Sequence, residues 1–382
     1  MKNKFFLFIF LIVIMFAIKP CNIKAQNFKF AAMSDSRGDY EGVNQPVLSA
    51  LINHLLKKNS DTKFIVFPGD LVSGNKYSAD TTEKQLNYWQ KTMAPIYNDS
   101  NMVWPKIWVS VGNHEIQNSK DEGLFKEEFQ NVFMNGPEDE KGLTYSFDYD
   151  KVHFVFITTN RWNYSESDEG GNNDWHYVKH LDWLNNDLQS AIQRGNKYLF
   201  VMGHETAFPI GGHLKDGLPN LGNHLALPID STRKWYLIQR DMFWKILSEN
   251  KVTAYICGHE HLYARESING VYQITSGSCG APLYYFNPTS NDVKKKSFGW
   301  SEFNYQEAIP YYKALNYFYG PGEDSQASKD FFGKRAFVYV TLNVTPDFVY
   351  VNTYGCYPKA NSDRIMGSKI QLLDTFKIKR KL

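Results

Sequence analysis

Five short apolar stretches of this chain each end in a side chain that can bind a metal ion. One of them runs from Ile107 to Val111, stops at Gly112, and is followed at once by Asn113-His114-Glu115. The candidate ligands at the five ends are Asp35, Asp70, Asn113, His204 and the pair His259 and His261. A single acid or histidine in such a position is usually a helix cap, a turn residue or a loop residue. Five in succession, four of them directly after a glycine, indicate a shared site.

The mixture of ligand types indicates the chemistry that the site could perform. Oxygen ligands mixed with imidazole suit Fe, Mn or Zn better than a structural thiolate site does. Two such ions about 3.5–4 Å apart activate water and bind the oxygens of an in-line displacement. A pair of ions needs a bridging carboxylate, and neighbouring glycines remove side-chain bulk where backbone, metal and substrate crowd together. The pattern therefore favours metal-assisted hydrolysis.

The elements that position these residues follow from hydrophobic periodicity. The pattern predicts strands at 28–33, 64–67, 107–111, 198–202 and 252–257, and helices at 47–57 and 83–93. Strands that alternate with helices are typical of an α/β sheet. Parallel strands of such sheets bind ligands beyond their carboxyl ends, which is where the candidate ligands lie.

The rest of the chain predicts one domain with an inserted loop region. The patterns at 143–157 and 337–354 each favour a β-hairpin. Residues 283–334 are rich in Tyr, Phe, Asn, Ser and Lys with little periodicity, and we expect loops with short helices there. No repeat or linker divides the sequence, so a single catalytic domain is predicted at 26–360, followed by a solvated basic tail at 361–382.

Residues 1–25 resemble an export signal rather than part of the fold. Lys2 and Lys4 precede the apolar run Phe5–Ile18, which is too short to span a bilayer comfortably, and Ala25 suits cleavage. The alternatives are an uncleaved membrane anchor and, less favoured, a lipid-modified Cys21. Cleavage predicts an exported protein, periplasmic or secreted, with no stable membrane span.

Charge and cysteine content exclude several other classes of protein. Removal of the four N-terminal lysines changes the formal net charge from +2 to about −2, so no patch for nucleic acid is implied. The cysteines that remain are Cys257, Cys279 and Cys356. An odd number without framework spacing argues against a disulfide scaffold, although one bridge remains open.

The motifs together resemble the calcineurin-like metallophosphoesterases, which include the purple acid phosphatases. The resemblance spans about 28–280 and rests, in order, on Gly69-Asp70, Gly112-Asn113-His114-Glu115, Gly203-His204 and Gly258-His259-Glu260-His261. It implies two mixed β-sheets packed face to face with helices outside. It also implies two divalent or trivalent ions, with Fe, Mn or Zn favoured, and a phosphorylated small-molecule or macromolecular substrate.

The resemblance also implies a role for each motif residue. Asp70 would bridge two metals, with Asn113, His204 and His259 completing one site and Asp35 and His261 holding the other. His114 would face the phosphate as the catalytic residue, where it stabilises charge or protonates the leaving oxygen while metal-activated hydroxide attacks phosphorus. The competing hypothesis is a non-catalytic member that binds phosphate or another ligand.

Arg37 departs from the family pattern. The first motif is commonly Asp-x-His, but this chain has Asp35-Ser36-Arg37, and arginine cannot bind a metal. The purple acid phosphatases place a tyrosine three residues after the bridging Asp, where this chain has Ser73. Three outcomes remain open: a weakened first site completed by water or a residue such as Asn75, an Arg37 that binds substrate phosphate, or loss of the first metal.

Overall fold

The computed structural model describes most of the chain outside its N-terminal segment and its central loops. The described residues are 27–160, 177–210, 213, 232–284, 324–328 and 331–382. The predicted signal segment, 1–25, and most of the predicted loop region, 285–323 and 329–330, lie outside them. Across the part of the chain that is described, no helix is long and apolar enough to cross a membrane.

Fourteen strands and six α-helices make up this part of the chain. The strands are β1 (Phe28–Ala32), β2 (Thr62–Pro68), β3 (Ile107–Ser110), β4 (Tyr145–Tyr149), β5 (Val152–Phe156), β6 (Tyr198–Met202), β7 (Ala254–Cys257), β8 (Tyr263–Ile268), β9 (Val271–Ser276), β10 (Asp324–Ser328), β11 (Phe331–Lys334), β12 (Phe337–Val344), β13 (Phe348–Cys356) and β14 (Gln371–Lys379). The helices are α1 (Gln45–Lys58), α2 (Ala79–Thr92), α3 (Ala94–Tyr97), α4 (Asp121–Glu128), α5 (Leu181–Gln193) and α6 (Thr232–Glu249). Short 3₁₀ turns cover Asn113–Ile116 and Glu138–Glu140.

The strands form two mixed sheets, as predicted. One has six strands in the order β14-β13-β12-β1-β2-β3, and the other has eight in the order β10-β11-β8-β9-β7-β6-β5-β4. β1 pairs with β2 and β2 with β3 in parallel, and β5, β6, β7 and β9 form the parallel centre of the larger sheet. Parallel strands joined by helices explain the continuous apolar runs in the sequence, because both faces of each strand are buried.

The two sheets pack face to face and the helices cover their outer faces. Between the sheets, the ring of Phe30 packs edge-on against Phe154 and Phe200, each at a centroid distance of 5.1 Å. Leu48, Leu51 and Leu55 of α1 belong to a separate buried cluster with the outer side of the smaller sheet. A third cluster joins α5 and α6 to the larger sheet. The predicted sandwich with outer helices is therefore confirmed.

The predicted hairpins also form. β4 and β5 pair antiparallel around Asp150 and Lys151, which have φ of 46° and 63°. Two consecutive left-handed residues are typical of the tight turn that matches strand twist. β12 and β13 pair antiparallel in the same way further along the chain.

The predicted end of the domain, at 360, is wrong. Residues Gln371–Lys379 form β14, which pairs along its length with β13 in the smaller sheet. Ile378 is buried in the core between the sheets, and Asp374 is buried as well. The Lys and Arg side chains that suggested a solvated tail alternate with these inward-facing residues, so the segment is a half-buried strand at the edge of the sheet.

The three cysteines in the described residues form no disulfide. Cys257, Cys279 and Cys356 are buried free thiols, so the bridge left open by the sequence is absent. Burial raises the pKa of each thiol, which keeps it protonated and unreactive at neutral pH.

Candidate metal centre

The candidate ligands come together where the strands of both sheets end. Asp35, Asp70 and Asn113 follow β1, β2 and β3 of the smaller sheet, while His204 and His259 follow β6 and β7 of the larger one. Backbone hydrogen bonds link these ends, including Gly258 N–H to the His204 carbonyl at 2.9 Å. Ligand atoms of Asp35, Asp70 and His204 lie within 4.8 Å of one another, and all three residues are buried.

The backbone at this edge is held in an uncommon conformation. Asp35, Asp70 and His259 have φ of 59°, 53° and 66°, in the left-handed region that residues other than glycine rarely adopt. Such strain persists where surrounding contacts fix the backbone, often at functional sites. Here the N–H of His259 donates to both carboxylate oxygens of Asp35 at 3.1 Å, which connects the two sheets through two strained residues.

Two of the adjacent glycines permit this close approach. A Cβ on Gly69, whose φ is 82°, would lie 2.6 Å from His204 Nδ1. A Cβ on Gly112 would lie 2.4 Å from Asp70 Oδ1. Any side chain at either position would displace a candidate ligand, which gives the glycines of the motifs a steric role.

One group of ligand atoms fits a bound cation. Burial lowers the pKa of His204 to about 4, so its ring is neutral. Its Nδ1 lies 3.0 Å from the carbonyl oxygen of Pro68 and must carry the proton, because that oxygen can only accept. Nε2 therefore presents a lone pair to Asp70 Oδ1 at 3.2 Å and to Asn113 Oδ1 at 3.1 Å. Acceptors do not hydrogen-bond one another, but metal–ligand bonds of about 2.0–2.2 Å place neighbouring ligand atoms about 3 Å apart.

His259 borders the same group. Its ring centroid lies 5.1 Å from that of His204, in an edge-on arrangement. Asp70, Asn113, His204 and His259 are the residues that the resemblance assigns to one metal site, and the structure brings these four side chains together.

Asp70 is the negative centre of the site. Burial by itself would raise the pKa of this carboxyl, but His204, His114, Arg37 and His259 surround it and lower the pKa to about 2. A buried carboxylate that remains charged beside several nitrogen groups is suited to bridging cations.

The second group of candidate ligands, Asp35 and His261, lies next to a positively charged side chain, that of Arg37. Nη2 of Arg37 lies 3.3 Å from Nε2 of His261, and Nε of Arg37 lies 3.5 Å from Asp70 Oδ2. His261 Nε2 is 3.6 Å from Asp35 Oδ1. Asp35 and His261 are therefore in the positions expected for ligands, but a guanidinium lies among them.

Ser73 and the alternative ligand Asn75 are both engaged within their own loops. The hydroxyl of Ser73 donates to the carbonyl oxygen of Gly38 at 2.9 Å and lies 3.3 Å from that of Gly42. The side-chain oxygen of Asn75 accepts from the backbone N–H of Tyr77 at 2.9 Å, in a local turn. Both side chains thus stabilise loops.

His114 lies beside the metal ligands with its ring fixed by neighbouring atoms. Nδ1 is 2.7 Å from the carbonyl oxygen of Ser73 and 3.0 Å from Nε2 of Gln117. Nε2 of His114 is directed towards the site, 3.9 Å from Asp70 Oδ2. The side chain is 16% exposed, so it can be reached from solvent.

Sequence reasoning missed two buried glutamates that hold the loops together. Glu115 accepts backbone N–H groups from Asp70 at 2.9 Å and Gly112 at 2.8 Å, so it connects the ends of β2 and β3. Glu260 accepts from the backbone of Ile210 at 2.9 Å and of His213 at 2.7 Å. Their position directly after a candidate histidine in Asn-His-Glu and Gly-His-Glu was the available signal.

Two rings beside the histidines were also missed as parts of the site. His213 packs on His259 at a centroid distance of 3.8 Å, and Tyr284 stacks on His261 at 4.1 Å. No strand or motif of the sequence fixes the position of His213.

Solved structures with the same overall fold include two phosphatases and one anchor protein. The purple acid phosphatase PPD1 of yellow lupin (Lupinus luteus) superposes with a TM-score of 0.56 at 15% identity, covering 94% of this chain and 54% of the lupin chain. This chain thus spans about half the length of the lupin protein. GAP50 of Plasmodium gives 0.52 at 16% identity (93% and 90% covered), and a dimetal phosphatase of Danio rerio gives 0.50 at 13% identity (93% and 99% covered).

The sequence itself matches one family. No curated protein matches the chain. The model of the Metallophos family, described as calcineurin-like phosphoesterase, matches residues 28–263. The family is named for phosphoesterases, and membership implies a dinuclear metal centre. With more than half of its length matched and the motif residues gathered at one edge of the sandwich, the chain belongs to the calcineurin-like phosphoesterase family.

Proposed function

We propose that this protein is an exported phosphoesterase that hydrolyses a phosphate mono- or diester at the site formed by Asp70, Asn113, His204 and His259. The observation that carries this proposal is the convergence on the His204 Nε2 lone pair of two oxygen acceptors, Asp70 Oδ1 at 3.2 Å and Asn113 Oδ1 at 3.1 Å. When bound, the metal there supplies Lewis-acid polarisation of the phosphoryl group and a lowered pKa for a water molecule.

The remaining steps belong to side chains of the chain. The carbonyl of Ser73 holds Nδ1 of His114, so Nε2 faces the bound phosphate. From there His114 stabilises developing charge or gives a proton to the leaving oxygen. Because its Nε2 lies 3.9 Å from Asp70, whereas Nε2 of His204 lies 3.2 Å from the same carboxylate, we assign the ring to the reaction rather than to metal binding.

Arg37 contributes fixed positive charge beside Asp70, with Nε 3.5 Å from Oδ2. Its side chain is 22% exposed, and its guanidinium has five N–H groups, one of which His261 accepts. A planar guanidinium binds two phosphate oxygens at once more readily than a lysine does. We therefore assign Arg37 to substrate binding.

Export rests on the sequence of residues 1–25. Basic residues, a short apolar run and Ala25 have the order of a cleaved signal. We propose a periplasmic or secreted location. N-terminal sequencing of the exported protein tests this: a mature chain that starts at Gln26 supports it, and recovery of the intact N-terminus in the cell contradicts it.

A non-catalytic binding protein is the competing function. GAP50, which has the same fold, is described as the anchor in the inner membrane complex of Plasmodium. The fold therefore does not distinguish the two functions. The presence of His114 favours the enzyme, because ligand binding alone does not require an imidazole directed at the phosphate.

The deciding experiment is hydrolysis of an aryl phosphate and an aryl phosphodiester by the purified mature chain with Mn, Zn or Fe. Turnover that disappears in the His204→Ala variant supports the proposal, and the ratio of the two rates identifies the ester class. A folded protein that turns over neither ester with any of the three metals contradicts it.

A further inference from the structure

We propose that the guanidinium of Arg37 takes the place of the first metal ion, so that each chain binds one metal where its family relatives bind two. The inference concerns the metal centre on which the proposed function rests. Family membership implies two metal ions, but the side chains of Asp35 and His261 surround an arginine, and the inference explains this difference.

The position of the guanidinium is the first argument. Its Nη2 approaches His261 Nε2 to 3.3 Å and its Nε approaches Asp70 Oδ2 to 3.5 Å. These atoms are the imidazole nitrogen and the second carboxylate oxygen that a first ion would use. Arg37 therefore contacts the same two atoms that an ion would bind, His261 through a hydrogen bond from Nη2 and Asp70 through an ion pair with Nε.

The Nε2 lone pairs of His204 and His261 face different partners, which is the second argument. His204 and His261 are oriented alike, since Nδ1 of each lies within 3.0 Å of a backbone carbonyl, of Pro68 and Pro282 respectively. At His204 the Nε2 lone pair faces two oxygen acceptors, whereas at His261 it accepts from Arg37. A metal must use that lone pair itself, and Arg37 cannot give up its proton to become a ligand.

Asp35 is likewise engaged by donors of the chain. Its Oδ2 accepts from the hydroxyl of Ser34 at 2.6 Å, and both oxygens accept from the N–H of His259 at 3.1 Å. These bonds orient the carboxylate within the protein. Asp35 and His261 are thus acceptors supplied with donors, which is a self-sufficient arrangement without an ion.

The loop that carries Arg37 is held in place. Arg37 pairs with Val43 across a short bridge, and the Gly38 N–H donates to the Gly42 carbonyl at 3.1 Å. The hydroxyl of Ser73, at the position where the purple acid phosphatases have their tyrosine ligand, donates to the Gly38 carbonyl. The residue at this position instead stabilises the loop that carries the arginine.

Charge provides the reason for the replacement. Asp35 and Asp70 are buried neighbours with carboxylate oxygens within 4.8 Å of each other, so their negative charges repel. Arg37, whose Nε lies 3.5 Å from Asp70 Oδ2, supplies a permanent cation beside this pair. The same charge repels a divalent ion from the space around His261.

Metal content measured without reference to activity tests the proposal. The mature protein is saturated with Mn²⁺ in the absence of substrate, freed of excess ion, and analysed by elemental analysis and by electron paramagnetic resonance. We expect one Mn²⁺ per chain and the spectrum of an isolated ion. The Arg37→His variant recreates the Asp-x-His pattern and should bind two ions per chain, with a spectrum broadened by coupling between them.

Matched variants locate the ions. His261→Ala should leave the content of the wild-type chain at one ion but return Arg37→His from two ions to one. His204→Ala should remove the ion of the wild-type chain. Two ions in the wild-type chain, or a single ion in a folded Arg37→His variant, would overturn the proposal. These measurements of metal content do not depend on catalytic activity. Absence of esterase activity would therefore contradict the proposed function but not the proposal of one metal ion per chain.

Discussion

At the scale of residues, the tautomer of each imidazole is fixed by the backbone. Pro68 and Pro282 accept from Nδ1 of His204 and His261, and this turns each Nε2 towards the site. Such contacts to the second nitrogen are the usual way in which proteins orient histidine ligands. The two rings are oriented in the same way, but their Nε2 atoms face different partners. Oxygen acceptors face His204, and the guanidinium of Arg37 faces His261.

His114 provides the sharpest prediction at this scale. We expect His114→Asn to lower kcat by about 10²–10³-fold, the size of a lost general acid, while Mn²⁺ content stays unchanged. The reason is that its Nε2 faces the site beside the candidate ligands and belongs to a ring held by Ser73. Steady-state kinetics with an aryl phosphate and elemental analysis of the same preparation measure both quantities.

A histidine outside the site serves as the control. His54 lies on α1 and contacts the hydroxyl of Tyr339 at 2.7 Å, so His54→Asn should change neither kcat nor metal content. Full activity in His114→Asn, or loss of metal from it, would show that the role assigned to His114 is wrong.

At the scale of elements, the ends of β2 and β3 must approach closely for the ligands to meet. Gly112 makes this approach possible, since its missing side chain leaves room for Asp70. We expect Gly112→Ala to weaken metal affinity by at least about 10-fold, in the range of changes that misplace a metal ligand. Titration of the metal-free protein with Mn²⁺ gives the affinity.

Gly123 in α4 is the matched control for this substitution. A Cβ there would meet nothing within 4 Å, and alanine is the better helix former. Gly123→Ala should keep the affinity and leave Tm unchanged or slightly higher. Equal affinities of Gly112→Ala and wild type would contradict the steric argument.

Ion pairs and hydrogen bonds connect the hairpin β4–β5 to the end of α5. Arg194, at the end of α5, donates to Asp148 at 2.8 and 3.0 Å, and His153 lies 2.6 Å from the same carboxylate. Burial acts to raise the pKa of Asp148, but hydrogen bonds from Arg194, Asn196 and His153 outweigh it and lower the pKa to about 2. These contacts between the hairpin and α5 therefore depend on the ionised carboxylate of Asp148.

This shift predicts a pH dependence of stability. A carboxyl whose pKa is depressed in the folded state stabilises that state above its ordinary pKa of 3.8, and the contribution is lost as pH falls towards about 2. Because Asp148 is 36% exposed, we expect Asp148→Asn to cost only about 1 kcal/mol at neutral pH. Urea unfolding with a metal chelator present should show this difference at pH 7 and its disappearance near the folded pKa, and a difference that grows in acid would refute the assignment.

At the scale of the whole molecule, β14 joins the two sheets. Asp374 on β14 accepts from Arg265 Nε at 2.7 Å and from the hydroxyl of Tyr263 at 2.8 Å, and both donors belong to β8 in the larger sheet. Arg265 is almost fully buried. The C-terminal strand thus supplies the counter-charge of a buried arginine across the sandwich.

Truncation after residue 360 should therefore destabilise the protein. We expect a loss of about 3 kcal/mol or more in the free energy of unfolding, because a buried charge loses its partner and the apolar side chain of Ile378 is removed. Chemical denaturation of the metal-free protein measures the loss. Lys379→Ala, at an exposed position of β14, should stay within about 0.5 kcal/mol of wild type. If the truncated chain is as stable as wild type, residues 361–382 do not stabilise the fold and the prediction is wrong.

Much of the architecture could be predicted from sequence because it depends on local patterns. The buried strands are continuous apolar runs, and α1 shows its apolar face at helical spacing, so each was predicted to within a few residues. β14 was missed for the same reason. Its lysines, Lys377 and Lys379, face solvent on alternate positions, and only pairing with β13 distinguishes such a segment from a tail.

The sequence by itself determined the types of ligand, their order and the strand ends on which they lie, because those are properties of short motifs and of strand periodicity. The tertiary structure decided which atoms meet. Arg37 and His261 are separated by 224 positions in the chain, yet Nη2 of one lies 3.3 Å from Nε2 of the other. Contacts of that kind depend on how two sheets pack and how a loop is anchored, so no local pattern contains them. For this protein they decide what lies in the position of the first metal.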